Sequence, residues 1–225
     1  LFVNPVQFNN AEDLEKYPRT LSADSEKLQG AGCDILFAPE QEEIYPEKPT
    51  LSMNFGSTEE VLEGAFRPGH FNGVGIIVAK LFNIVQPDVA IFGQKDLQQF
   101  AIISKLNREL NFGIRLLMAP IIREENGLAM SSRNERLSPE ARSRAGKIHQ
   151  VLMAAIANIK SGKDLAEVIT TAKNDLSNDF QVEYLDLVEI HNFVPVKKAK
   201  AGKYALCVAV YLEGVRLIDN EIVDL

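Results

Sequence analysis

The stretch from Val74 to Ala119 constrains the fold more than any other part of the sequence. Val74, Ile77, Val78, Leu81, Ile84 and Val85 recur at helical spacing, and Gln86-Pro87 ends that helix. Asp88 to Phe92 reads as a buried strand, Gly93 follows at once, a second helix is expected over 97–110, and Ile114 to Ala119 gives the next strand. Helices alternating with strands too apolar to have a wet face are the pattern of a parallel sheet covered by helices. Two earlier runs read as further strands of that sheet, Leu1 to Val3 and Asp34 to Ala38. The first is cut off at its start, so sequence upstream of Leu1 is expected to belong to the fold. A helix over 23–29, capped by Ser22, is expected to stop at Gly30 and Gly32. Residues 39–72 are irregular and rich in Pro, Gly and Glu, with a short helix at Thr58 to Glu60, and read as a functional loop or lid.

After Pro120 the order changes. A helix over 139–160 behind a Ser138 cap and another over 165–176 precede strands at 182–190, 204–211 and 215–218, the last two joined by a turn at Glu213-Gly214. Helices in succession followed by strands in succession indicate an α+β unit. The expected architecture is α/β: a domain built on a parallel sheet with helices on both faces over 1–121 and a smaller C-terminal α+β domain with antiparallel strands over 122–225.

The charge balance narrows the partners. Net charge is −7, and only Lys197, Lys198 and Lys200 cluster, as expected of a solvated turn before a strand, so a nucleic-acid role is disfavoured. No apolar run approaches the length of a membrane span. Cys33 and Cys207 lie far apart, outside metal-ligand spacing, and read as small buried hydrophobes in a reducing, cytoplasmic protein. His70, His149 and His191 are scattered and give no zinc signature. A Walker A loop, a complete dinucleotide fingerprint and a Gly-x-Ser-x-Gly elbow are all missing.

Four clusters remain as carriers of chemistry. In Gly93-Gln94-Lys95-Asp96, Gly93 lets backbone approach a ligand, Lys95 supplies a point charge for phosphate, and a helix start follows. Asp96 and Gln99 also have the spacing of a capping box, an equally good reading. In Met130-Ser131-Ser132-Arg133-Asn134, after the Asn126-Gly127 turn, two hydroxyls and a guanidinium form a cradle for phosphate oxygens; a polar loop is the plainer reading. In Asn4-Pro5-Val6-Gln7, the neutral Gln7 amide suits a substrate carrying hydroxyl and carboxylate groups, against an ordinary turn. In Glu63 to Phe71, Glu63 and Arg67 read as an exposed ion pair and His70 as a structural histidine before a general base.

Seven segments in order resemble the pantothenate synthetase family. They are Phe-Val-Asn-Pro-Val-Gln-Phe at 2–8, Tyr-Pro-Arg-Thr at 17–20, Leu-Glu-Gly-x-x-Arg-Pro-Gly-His-Phe at 62–71, Lys-Leu-Phe-Asn-Ile-Val-Gln-Pro-Asp at 80–88, Phe-Gly-Gln-Lys-Asp at 92–96, Gly-Leu-Ala-Met-Ser-Ser-Arg-Asn at 127–134 and Arg-Leu-Ile-Asp-Asn at 216–220. The resemblance implies a Rossmann-like nucleotidyltransferase, a cytoplasmic homodimer that joins pantoate to β-alanine with ATP and Mg²⁺ through a pantoyl adenylate. By resemblance, Gly93, Gln94, Lys95, Asp96, Ile122, Met130, Ser131, Ser132 and Arg133 line the ATP site, with Lys95, Ser131 and Arg133 in catalytic roles. Asn4, Gln7 and Gln99 hold substrate, Tyr17, Glu63 and Arg67 contribute from loops, and Asp24 approaches magnesium through water. The family carries Glu where this chain has Gln94, and its paired-histidine motif falls upstream of Leu1. The accompanying expectation is low activity for the isolated chain, with an inactive fragment, or an adenylyltransferase of the same fold acting on another acid, as alternatives.

Overall fold

A computed structural model describes the chain from Leu1 to Leu225. The elements in order are α1 (Ala11–Glu15), α2 (Leu21–Gly30), α3 (Gln41–Ile44), α4 (Glu63–Phe66), α5 (His70–Val85), β1 (Val89–Gly93), α6 (Leu97–Glu109), β2 (Arg115–Ala119), α7 (Pro139–Ala145), α8 (Lys147–Lys160), α9 (Leu165–Ser177), β3 (Gln181–Glu189), β4 (Lys203–Leu212) and β5 (Val215–Asp224). β1 and β2 pair in parallel, Val89 opposite Arg115 and Gly93 opposite Ala119, with α6 as the crossover. β3, β4 and β5 form an antiparallel sheet in that order. The α/β reading and its antiparallel C-terminal sheet are thus borne out.

Each half has its own core. Phe71, Val74, Ile77 and Val78 of α5 pack with Ile102, Ile103 and Leu106 of α6, the faces that the 3.6-residue period marked. α8 and α9 cover one face of the antiparallel sheet through Leu152, Ile156, Val168 and Leu176 against Leu206, Val208 and Val210. The central strand β4 is buried on both faces, which is why its sequence reads as one apolar run. The middle of its second face carries the small side chains Ala205, Cys207 and Ala209, which join Leu62 and Leu97 in a third cluster. That cluster links the long loop and α6 to the antiparallel sheet. The turn between β4 and β5 holds Glu213 and Gly214 at φ 49° and 73°, the mirror-image geometry of a tight hairpin.

Several expectations need correction. Residues 1–3 and 34–38 are not strands: β1 pairs with β2 alone, no ladder reaches either segment, and Ile35 is 85% exposed. An apolar run becomes a strand only where a neighbour supplies the hydrogen bonds. The second helix begins after Thr20, and Ser22 lies inside it. The helix expected over 139–160 breaks at Gly146, because the Asn126 side chain donates to the carbonyls of Arg142 and Ser143 at 2.8 and 3.2 Å. Gly146 is required there, since a Cβ would lie 2.3 Å from the Asn126 carbonyl oxygen. β5 runs six residues past the expected end at Ile218, to Asp224. Cys33 is exposed, whereas Cys207 is buried and its thiol is pushed up by burial.

Candidate functional site

The parallel pair determines where a ligand can sit. Gly93 and Ala119 face each other at the carboxyl ends of β1 and β2, the edge at which open α/β sheets bind ligands. From Gly93 the chain enters a single 3-10 turn, Gln94–Asp96, and then α6. From Ala119 it enters a short hairpin, closed by the Arg123 to Ala129 bridge and turning at Gly127 with φ 92°, which delivers Ser131 and Arg133. Lys95, Ser131 and Arg133 all line one cavity of about 570 Å³. The same cavity is walled by α1 on one side and by Arg216, Leu217 and Ile218 of β5 on the other.

Its electrostatics are set by cations that the fold holds in place. Arg133 donates from Nη2 to Asp13 Oδ2 at 2.9 Å and stacks over the Tyr17 ring at 5.1 Å, while Arg136 Nη1 reaches Asp13 Oδ1 at 2.8 Å. Burial raises the Asp13 carboxyl, but the two guanidiniums outweigh it and hold the group below its ordinary range. Asp13 therefore stands where an anion on Arg133 and Arg136 would stand. Lys95 Nζ lies 3.9 Å from Asp96 Oδ2, a distance that leaves the ammonium free to donate elsewhere.

A second, drier network adjoins this wall. Glu63 accepts from both Arg216 terminal nitrogens at 2.7 Å and from the Tyr184 hydroxyl at 2.7 Å. Arg67 Nη1 lies 3.4 Å from Glu63, and Glu183 takes Arg216 Nε at 3.0 Å. Desolvation raises the Glu63 carboxyl, yet Arg216 and Tyr184 outweigh it and bring its pKa to about 2. The exposed, near-worthless Glu63–Arg67 pair expected from the sequence is thus replaced by a buried network in which Arg216 is the main partner. A salt bridge between residues 153 apart has no local signature, which is why the sequence concealed it.

The remaining expected residues sort by what they touch. Asn4 is buried with its amide engaged: Tyr45 donates to Oδ1 at 2.8 Å, and Nδ2 donates to Gln7 Oε1 at 3.2 Å and to the Gly73 carbonyl at 3.1 Å. It holds Gln7 in place. His70 Nδ1 lies 2.9 Å from the Gln7 carbonyl, which can only accept, so Nδ1 carries the proton. Burial, with nearby Arg67, lowers the His70 pKa to about 4, so the ring is neutral and structural. Gln99 lines a small adjoining recess with His70, Arg67 and Lys95. The Asp96–Gln99 capping box is absent, since Asp96 precedes α6 without a side-chain cap.

Ile122 and Met130 are exposed neighbours, Met130 N donating to the Ile122 carbonyl at 2.9 Å, and they flank the cavity without lining it. Gly93, Gln94 and Ser132 likewise lie beside the lining. Asp24 sits in α2, accepts from the Thr20 hydroxyl at 3.1 Å and is not part of the cavity wall. Sequence reasoning missed Asp13, Arg136 and Asn220 as well as the role of Arg216, and it placed Asn134 in the second cluster without giving it a role. Asn134 is 1% exposed, and its Oδ1 has no hydrogen-bond partner. Arg216, Asp219 and Asn220 had one signal available, polar groups recurring inside an otherwise apolar strand.

Known proteins resemble this chain in sequence and fold. A family model described as pantoate-beta-alanine ligase matches residues 1–222. A pantothenate synthetase of Cytophaga hutchinsonii is 47% identical over 229 residues, covering 100% of this chain and 81% of that protein. The crystal structure of pantothenate synthetase from Thermus thermophilus matches with TM-score 0.92 at 41% identity, over 98% of this chain and 81% of that one. A Francisella tularensis pantoate-beta-alanine ligase, solved with beta-gamma ATP and beta-alanine, matches with TM-score 0.79 at 31% identity, over 99% and 77% of the two chains. The chain belongs to the pantoate-β-alanine ligase family.

Proposed function

We propose that the chain condenses pantoate with β-alanine at the expense of ATP, through a pantoyl adenylate, with the triphosphate lying between Lys95 and Arg133. The observation that carries this reading is that both cations, delivered from the ends of adjacent parallel strands, line one cavity. The Francisella relative, solved with beta-gamma ATP and beta-alanine, supports both co-substrates.

In the first step a pantoate carboxylate oxygen attacks the α-phosphorus, the bond to the bridging oxygen breaks, and pyrophosphate leaves with the electron pair. Negative charge accumulates on the leaving group, where the Lys95 ammonium and the Arg133 guanidinium stabilise it. Each such preorganised donor is worth about 10²- to 10³-fold in rate. The phosphates take over Arg133 and Arg136 from Asp13. In the second step the β-alanine amine attacks the acyl carbon, AMP departs, and the amine proton passes to solvent. This step needs mainly positioning. Gln7, held by Asn4 and the His70 ring, and Gln99 bind pantoate, while Ser131 and Ser132 donate to phosphate oxygens. Arg67 and Arg216, fixed by Glu63, supply positive wall.

Magnesium travels with ATP, keeping water and phosphate oxygens as ligands. The residues present do not fit a protein-held site: no three His, Cys, Asp or Glu side chains converge, and Asp24 is not on the cavity wall. The homodimer belongs to the same proposal and is read by light scattering.

The test is Lys95→Ala in the full-length enzyme, assayed for ATP- and pantoate-dependent pyrophosphate release. A loss of at least about 10²-fold is expected. Turnover within a few-fold of wild type places the phosphates elsewhere, and AMP formation with an acid other than pantoate overturns the substrate assignment.

A further inference from the structure

The turn that carries Lys95 is not held by its own sequence. Asp96 precedes α6 without capping it, and Lys95 makes only the 3.9 Å approach to Asp96. What holds it comes from 125 residues away. Asn220 on β5 is 3% exposed and donates from Nδ2 to the Lys95 carbonyl at 2.9 Å and to the Gln94 carbonyl at 3.0 Å. Its Oδ1 accepts from Gln94 Nε2 at 3.3 Å.

The requirement at this position is for two donors and one acceptor in a single buried neutral group, which only an amide supplies. A carboxylate would set two more oxygens against the two carbonyls, and burying it there would be costly.

The neighbouring residue does the corresponding task for the other phosphate stretch. Asp219 receives Arg123 in a fork, at 2.7 and 3.1 Å, and Arg123 also donates to the Gly127 carbonyl at 3.1 Å and to Glu221 at 2.6 Å. Arg123 is thereby tied into the hairpin that delivers Ser131 and Arg133. Consecutive side chains of a strand point to opposite faces. One strand thus grips, through residues 219 and 220, the two loops that hold the cations, and spaces them by its own rigid backbone.

We infer that Asn220 is a positioning residue for the reaction, acting through the Gln94 and Lys95 carbonyls to hold the Lys95 ammonium at a fixed separation from Arg133. The inference rests on the proposed phosphate role of Lys95. Misplacing a catalytic group by about 1 Å costs on the order of 10²-fold, so losing these two bonds is expected to be felt at the nucleotide and not at pantoate.

The experiment is a double-mutant cycle in the full-length enzyme. Asn220→Ala, Lys95→Met and the double variant are titrated with ATP by calorimetry, and kcat and the pantoate KM are measured for Asn220→Ala. Asn220→Ser, which keeps one donor, is carried alongside in case the alanine variant does not fold. Expected are at least about 10-fold weaker ATP binding in Asn220→Ala, a smaller loss in Asn220→Ser, a pantoate KM within about 2-fold of wild type, and no further loss when Asn220→Ala is added to Lys95→Met. Effects that multiply across the two sites, or a pantoate KM that rises with the ATP constant, show a merely structural role and overturn the inference alone. Wild-type ATP binding and turnover in Lys95→Met overturn the phosphate site and this inference together.

Discussion

Replacing Glu63 by Gln keeps the volume of the side chain and removes its charge, leaving Arg216 with Glu183 as its one carboxylate partner. The magnitude follows from the ionisation: a carboxyl lowered from 4.5 to about 2 by its partners is stabilised in the folded state by about 3 kcal/mol. Removing one member of a buried pair typically costs about 3–5 kcal/mol, which agrees. For a chain of this size each kcal/mol moves Tm by about 2–4 °C, so Glu63→Gln is expected to melt about 6–12 °C lower at pH 7. The sign with pH is fixed as well. The folded pKa is depressed, so the contribution is fully present above 4.5 and is lost as pH falls towards 2. The gap between wild type and variant should therefore narrow by about 1.4 kcal/mol between pH 6 and pH 3.5. Urea titrations of both proteins across that range read it directly. A gap below about 1 kcal/mol at pH 7, or one that does not change with pH, refutes the buried ionised network.

Two further outcomes follow, one from Asp13 on the cavity wall and one from Gly73, which packs against Val6 and Gln7. Asp13 is 27% exposed and its pairs with Arg133 and Arg136 are correspondingly weak, so Asp13→Asn should tighten ATP binding by about 2- to 5-fold by removing an internal competitor; weaker binding would show that Asp13 helps hold the nucleotide. Gly73→Ala places a Cβ 2.7 Å from the Val6 carbonyl and 2.8 Å from Gln7 Cα. That overpacking costs about 1–3 kcal/mol and displaces Gln7, so the pantoate KM should rise while the ATP constant holds; the opposite pattern removes Gln7 from the pantoate site.

The parallel α/β unit was legible because its helices and strands announce themselves by local periods, as α5, β1, α6 and β2 show within a residue or two except at the start of α5. The Ser138 cap is equally local, its hydroxyl accepting from Ala141 N at 3.1 Å. Segments whose structure depends on a distant partner were misread. Asp34 to Ala38 has the composition of a buried strand but no neighbouring ladder, and the helix after Ser138 breaks because Asn126 takes two of its carbonyls. The site followed the same division. Lys95, Ser131 and Arg133 stand next to glycine-marked turns that can be read in sequence. Asp13, Arg216 and Asn220 act across 120, 153 and 125 residues, and although polar groups recurring in an apolar strand mark Arg216 and Asn220, nothing local identifies the partner of any of the three.

The central claim is that Lys95 and Arg133 grip one nucleotide. A crystal structure of the full-length enzyme with a non-hydrolysable ATP analogue measures it directly. Lys95 Nζ and the Arg133 guanidinium are each expected about 2.7–2.9 Å from oxygens of the same triphosphate, with Asp13 displaced from Arg133. A triphosphate that touches neither cation, or only one of them while Asp13 keeps the other, contradicts the account.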